Sequence, residues 1–127
     1  MKQTLLFLLI VFSIKTYSQN WEQILQTEQE EYFYKPNTRN TAWVKVVSEK
    51  TEYTSEKTLK NEIIDGYKMI LWKFDCYEKK LGIIQAIIYS KDGKPLDSFK
   101  QNEILVEMDF VVPETVGEKL LYIFCEN

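Results

Sequence analysis

The sequence contains two cysteines, Cys76 and Cys125, and their positions constrain the fold more than any other feature. Cys76 ends the segment KMILWKFDC, and Cys125 lies in the last apolar run, LLYIFC. An even cysteine count in an exported protein is typical of a disulfide. A metal pair or a redox pair is the alternative, but the spacing is far from C-x-x-C and the chain has no histidine. We therefore predict a Cys76–Cys125 disulfide.

The first residues predict export. Lys2 precedes an apolar run from Leu5 to Ile14, and small or polar residues follow it up to Ser18. A bilayer-spanning helix needs about twenty apolar residues, so this run matches a secretory signal peptide. We predict a signal peptide at residues 1–18 and one domain at residues 19–127. A lysine near the cleavage site leaves an uncleaved anchor as the alternative.

The charge of the chain argues against several partners. Removing the two leader lysines from the 16 basic residues leaves 14 against 19 acidic ones, a net charge of −5. A chain this acidic has no bulk attraction to nucleic acid or to anionic lipid. No later apolar run reaches membrane length, so we expect a mature domain that does not span a membrane.

Alternating side chains predict antiparallel strands in the middle of the chain. The segments AWVKVV and KMILWKFDC each place large apolar residues on one face, and LGIIQAIIYS is apolar on both faces, as in a strand covered on both sides. Turns are predicted at Pro36, at Asp65–Gly66 and at Asp92–Gly93. LDSFK and EILVEMDFVV are predicted to be further strands. The faces are Ala42, Val44 and Val46 in the first segment and Ile70, Trp72, Phe74 and Cys76 in the second.

Two stretches are ambiguous. Residues 20–31 fit an amphipathic helix capped by Asn20, and they also fit an edge strand. The polar stretch TEYTSEKTLKNEII alternates only weakly, and we interpret it as a loop or a solvated edge.

The C-terminal segment PETVGEKLLYIFCEN predicts a helix. Thr115 and Glu118 form a capping box, and a helix from Val116 to about Cys125 would have an apolar arc. A helix of this length is not stable alone, so we expect it to dock on the strand that ends at Cys76. The arc is Val116, Leu120, Ile123 and Phe124, with Leu121 beside it.

The residues offer little catalytic chemistry. Without histidine, Ser-His and Cys-His nucleophiles and common zinc sites are excluded. Asp75 and Asp109 are the remaining candidates for a glycosidase-like carboxylate pair, although acidic residues on the outer face of a strand are ordinary. We predict no enzyme activity, no cofactor and no metal site.

The aromatic segment EYFYKP supports a binding hypothesis. If it is a strand, Tyr32, Phe33 and Tyr34 cannot all face one core, and exposed tyrosines are favoured at recognition surfaces. Tyr32 and Tyr34 are therefore our candidates for a protein-binding surface. Coverage of both faces is the alternative.

The order of these motifs resembles the surface-adhesin E-like family of small exported bacterial proteins. The matching features are Asp75–Cys76, the Asp92–Gly93 hairpin, Pro113 with Thr115, Glu118, and Cys125. This chain departs from the family pattern in lacking a lipobox cysteine and the tryptophan that often precedes the Pro-x-Ser step.

The resemblance implies an α+β fold in which an antiparallel sheet of about six strands is held to a C-terminal helix by one disulfide. It implies an exported, non-catalytic, adhesin-like module that binds extracellular or envelope proteins. The alternative is a periplasmic carrier of a small ligand, with a cavity between sheet and helix.

Overall fold

The computed structural model describes residues 21–55 and 57–126. The predicted signal peptide lies outside these residues. The described part forms nine strands, a short 3-10 helix at Glu103–Leu105 and one α-helix. The elements are β1 (Glu22–Gln26), β2 (Glu30–Pro36), β3 (Thr41–Ser48), β4 (Thr51–Thr54), β5 (Asn61–Ile64), β6 (Gly66–Asp75), β7 (Lys80–Ser90), β8 (Pro95–Lys100), β9 (Asp109–Phe110) and α1 (Val116–Glu126).

Seven of the strands form one antiparallel sheet. Its order is β1-β2-β3-β6-β7-β8, and the two-residue β9 pairs with β7 beyond the end of β8. Strands β4 and β5 form a separate two-stranded hairpin. The predicted α+β fold, an antiparallel sheet of about six strands with a C-terminal helix, is confirmed.

One face of the sheet, the inner face, carries the hydrophobic core. Tyr34 pairs with Val44 and Val44 with Ile70, so these side chains share a face across three strands. The helix α1 packs on this face through Leu120 and Leu121, which are 2% and 6% exposed. The buried core residues are Tyr34, Ala42, Val44, Val46, Phe74, Leu120 and Leu121.

The disulfide and a ring stack hold α1 in place. Cys76 and Cys125 are bonded, with Cα atoms 5.7 Å apart, which confirms the predicted bridge. The rings of Phe74 and Phe124 stack beside it with centroids 4.3 Å apart. The strand that ends at Cys76 is therefore the docking surface of the helix, as the alternation of KMILWKFDC predicted.

Half of the capping box forms as predicted. The backbone N–H of Glu118 donates to Thr115 Oγ1 at 3.3 Å, which satisfies a donor that the first turn of a helix leaves unpaired. The Glu118 carboxylate reaches back one residue further than the cap and accepts from the Glu114 N–H at 3.3 Å. The predicted start of the helix at Val116 is confirmed, and the helix ends at Glu126, one residue beyond the prediction.

The β4–β5 hairpin covers the other end of the inner face. Thr51 Oγ1 donates to the Gly66 carbonyl at 2.9 Å, which ties β4 to the start of β6. Tyr53 of this hairpin lines a small cavity together with Ile70 and Ile88 of the sheet. The stretch that we interpreted as a loop or a solvated edge is thus a hairpin packed beside α1 on the same face.

Two local predictions need correction, and one ambiguity is resolved. The segment EILVEMDFVV is mostly not a strand: Asn102 caps the 3-10 turn through its side chain, and only Asp109–Phe110 pairs with β7. Gly66 is not a turn residue, since it begins β6, where an added Cβ would lie 1.9 Å from the Tyr89 carbonyl oxygen. Residues 22–26 form an edge strand rather than a helix.

Candidate interaction surface

The face of the sheet opposite α1, the outer face, carries neither α1 nor the β4–β5 hairpin, but the 3-10 helix at Glu103–Leu105 contacts it, since Lys73 donates to the Glu103 carbonyl. Both α1 and the β4–β5 hairpin lie on the inner face. The segment after β8 reaches the outer face at one end only, where Val106 packs against Gly82 and is 7% exposed. The remainder of the outer face is open.

The side chains on this open face are mostly apolar. Trp43 pairs with Leu71, and Tyr67 pairs with both Val47 and Tyr89, so these rows run across three strands. All of them are half-buried. The apolar set is Phe33, Trp43, Val47, Tyr67, Met69, Leu71, Ile87 and Tyr89.

This pattern is unusual for a solvated sheet face. An antiparallel sheet with one bare face normally alternates apolar and polar residues, with the polar ones outside. Here β6 and β7 are apolar on both sides. The prediction that LGIIQAIIYS is covered on both faces holds at its start, where Val106 packs against Gly82 from outside, and none of these ten residues is exposed in the described structure.

Stacked side chains order the edge of the patch near the β7–β8 turn. The rings of Tyr67 and Tyr89 stack with centroids 4.9 Å apart and planes 16° apart. Lys45 Nζ lies 4.6 Å from the centroid of the Tyr67 ring. Strand β6 pairs with β3 on one side and with β7 on the other, and this brings the three residues together although they are far apart in sequence.

Tyr32 and Tyr34 lie on the inner face. Tyr34 is 3% exposed and belongs to the core, and Tyr32 is half-buried against it. Burial raises the pKa of both phenols, and the Glu30 carboxylate raises that of Tyr32 further. The Tyr32 hydroxyl donates to Glu30 Oε1 at 3.2 Å. Their role in binding stays a prediction, and the aromatic ring of this segment that faces outward is Phe33.

A groove separates the start of α1 from the sheet. It has a volume of about 370 Å³ and lies where the hairpin and the helix leave the inner face uncovered. Its charged lining residues are Glu30 and Lys68. Trp72 lines the groove, but its indole N–H is buried and has no hydrogen-bond partner within the described part of the chain. The apolar lining is Tyr32, Val44, Val46, Ile70, Trp72, Val116 and Leu120.

The candidate carboxylates have ordinary structural surroundings. Asp75 Oδ1 accepts from the Glu78 backbone N–H at 3.0 Å, which closes the turn after β6. Asp109 is exposed on the short β9, one strand away across β7. Across residues 21–55 and 57–126, no three or more Cys, Asp or Glu side chains are grouped so that they could hold a metal ion.

Sequence reasoning missed most of the outer face. The alternation of each strand separates two sets of side chains, but it does not say which set the helix and the hairpin will cover. The available signal is the two-sided apolar pattern of LGIIQAIIYS, which predicts apolar side chains on both faces of β7.

Comparison with known proteins supports the resemblance. No curated protein and no solved structure matches the chain significantly. No helix in the described residues has the length and apolar character needed to cross a bilayer. The family model described as surface-adhesin protein E matches residues 21–126, which include every strand and the helix. The chain therefore belongs to the surface-adhesin protein E family.

Proposed function

We propose that this chain is an exported, non-catalytic adhesin-like module that binds an extracellular or envelope protein through its outer face. Family membership suggests a surface adhesin-like role and points to a non-catalytic protein at the cell surface. The choice of the outer face goes beyond the family, and it rests on the structure of this chain.

One observation supports the outer face. Eight apolar or aromatic side chains from β2, β3, β6 and β7 form a continuous patch with no described helix or strand over it. Large exposed apolar patches on soluble domains are typical of interaction sites. Aromatic residues and methionine are enriched in protein interfaces, and this patch contains Phe33, Trp43 and Met69.

The test replaces apolar residues at the centre of the patch. We expect the triple variant Met69→Thr, Leu71→Thr, Ile87→Thr to lose at least about tenfold in affinity, because central apolar residues contribute most to interface energy. Threonine keeps a high strand propensity, so the sheet should remain folded. The probe is a basement-membrane extract, with binding measured by surface plasmon resonance of the oxidised protein.

The matched control places the same substitutions elsewhere. Ile63, Val112 and Tyr122 are 64%, 62% and 66% exposed and lie outside this patch. The variant Ile63→Thr, Val112→Thr, Tyr122→Thr should bind as the unmodified protein does. Equal loss in both variants, or full binding by the outer-face variant, would count against the proposal.

The groove beside α1 supports a second candidate, a carrier of a small apolar ligand. Its lining is mainly apolar, and Glu30 and Lys68 are the charged residues among those that line it. Apolar clefts of roughly 300–1,000 Å³ are typical ligand sites. Native mass spectrometry of protein purified from its own host would show the ligand as added mass, and an unliganded mass alone would argue against this candidate.

A further inference from the structure

We propose that the partner of the outer face is a protein surface whose apolar residues are surrounded by carboxylates. This inference rests on the proposed function and adds the chemistry of the partner. It follows from the lysines of the outer face, from the apolar centre between them and from the net charge of the chain.

Basic residues are concentrated on this face. Four lysines without an ion pair to a described carboxylate point outward from the sheet: Lys35, Lys45, Lys73 and Lys100. A fifth, Lys80, lies on the same face and is paired with Glu78. Each of the four either pairs across the sheet with a side chain of the apolar patch or lies beside the patch. In an acidic chain with a net charge of −3, this face is locally basic.

None of the four lysines is neutralised by a carboxylate. The ion pairs between described residues are Lys80–Glu78 and Lys91–Asp65. Lys73 donates to the Glu103 carbonyl at 3.1 Å, and Lys35 lies 5.8 Å from the centroid of the Trp21 ring. These contacts with uncharged groups fix the positions of the ammonium groups but do not neutralise their charge.

Two carboxylates of the same face reduce this charge without cancelling it. Glu31 lies at one margin, and Asp75, which accepts from the Glu78 N–H, pairs with Lys80 at the other end of the face. The outer face therefore offers positive charge around an apolar centre. Charge complementarity at an interface favours negative groups on the partner at matching positions.

The Tyr67 ring is not available for stacking by a base. Bases bind to aromatic side chains by stacking on an open ring face, but Tyr89 occupies one face of the Tyr67 ring and Lys45 lies over that ring as well. A protein surface with apolar residues between its carboxylates would contact both the apolar patch and the lysines, whereas a polyanion would contact the lysines alone.

The test uses a phage-displayed library of random short peptides, selected on the oxidised protein. Peptides that are enriched should combine Asp or Glu with apolar residues, and their binding should weaken as salt rises, since salt screens exposed charges. A selection for basic or purely polar peptides, or for none at all, would overturn the inference.

Charge reversal provides the second arm. We expect Lys35→Glu, Lys45→Glu, Lys100→Glu to lower peptide affinity by about tenfold or more, since each substitution replaces an attraction to the carboxylates of the peptide by a repulsion. The control Lys60→Glu, Lys79→Glu, Lys119→Glu makes the same change in net charge at exposed lysines away from the outer face. Equal losses in the two variants would show a bulk charge effect and overturn the inference.

Two further probes separate the other classes of partner. Heparin and phosphatidylglycerol vesicles are each tested against the unmodified protein. Binding of either one that requires Lys35, Lys45 and Lys100 while acidic peptides fail to bind would assign the face to a polyanion or a membrane instead. If the threonine variant loses binding to the matrix extract but the glutamate variant does not, the proposed function stands and the acidic partner is wrong.

Discussion

Removal of the disulfide tests the central structural inference, that the bond between Cys76 and Cys125 secures α1 to the sheet. The perturbation is Cys76→Ser with Cys125→Ser, which leaves no free thiol. We expect the free energy of unfolding to fall by about 4 kcal/mol. The chain-entropy model yields this figure for a bond that joins residues 49 apart in sequence.

The structure indicates what remains after the bond is lost. Leu120 and Leu121 are still buried on the inner face, and Phe124 still stacks on Phe74. Each buried side chain of this size stabilises by about 1.5–3 kcal/mol. An isolated helix of 11 residues is not stable, so the variant should keep α1 docked but weakly held. We therefore expect a folded protein with much reduced stability.

The assay is urea unfolding followed by tryptophan fluorescence, together with thermal unfolding by circular dichroism. A loss of about 4 kcal/mol corresponds to a fall in Tm of about 20 °C for a domain of this size. Hydrogen exchange should be fastest in α1, since its attachment is the part that changed. The control is Leu120→Ala, which keeps the bond and should cost about 2–5 kcal/mol by leaving a cavity.

A loss below about 1 kcal/mol would refute this reasoning, since it would show that packing alone holds the helix. Accelerated exchange in β6 with unchanged exchange in α1 would also refute it. Binding through the outer face should not depend on the disulfide while the sheet stays folded, because α1 lies on the opposite side of the sheet.

Three further predictions concern single residues. Gly66→Ala should destabilise by more than about 2 kcal/mol in urea unfolding, because the new Cβ would meet the Tyr89 carbonyl at 1.9 Å; a neutral result would show that β6 and β7 can separate there. Gly117→Ala should stabilise by about 0.5–1 kcal/mol, since alanine favours helix and its Cβ would make an ordinary 3.4 Å contact with Leu81; a lower Tm would contradict this. Burial raises the pKa of Tyr34 above the ordinary value of 10.0, so the folded state keeps a proton that the unfolded state loses. Stability should thus be complete below about pH 10 and decline above it. Tyr34→Phe should remove part of this decline; a pH profile identical to that of the unmodified protein would refute the assignment.

Local patterns predicted much of the fold. The alternation in AWVKVV and KMILWKFDC identified the buried faces of β3 and β6, because side chains alternate strictly along a strand. The capping box located the start of α1, since it depends on residues three apart. The Asp92–Gly93 turn was also correct: Gly93 has φ of +85°, which glycine adopts without strain.

Other elements could not be predicted because distant residues decide them. Residues 22–26 become a strand through pairing with β2, which overrides an equally good helical pattern. The segment EILVEMDFVV alternates like a strand, yet only Asp109–Phe110 pairs with β7. Gly82 has no side chain, so Val106 can pack directly on the sheet at that position. In both cases the neighbouring chain determined the conformation.

The sequence alone determined the strand faces, the helix, the turn chemistry and the residues joined by the disulfide, because each of these depends on spacing along the chain. The tertiary structure decided which face of the sheet is covered. Only the docking of α1 and the β4–β5 hairpin on one side buries Tyr34 and leaves Phe33, its neighbour in sequence, on the open side. The side chains available to a partner are therefore a consequence of packing, and periodicity by itself does not reveal them.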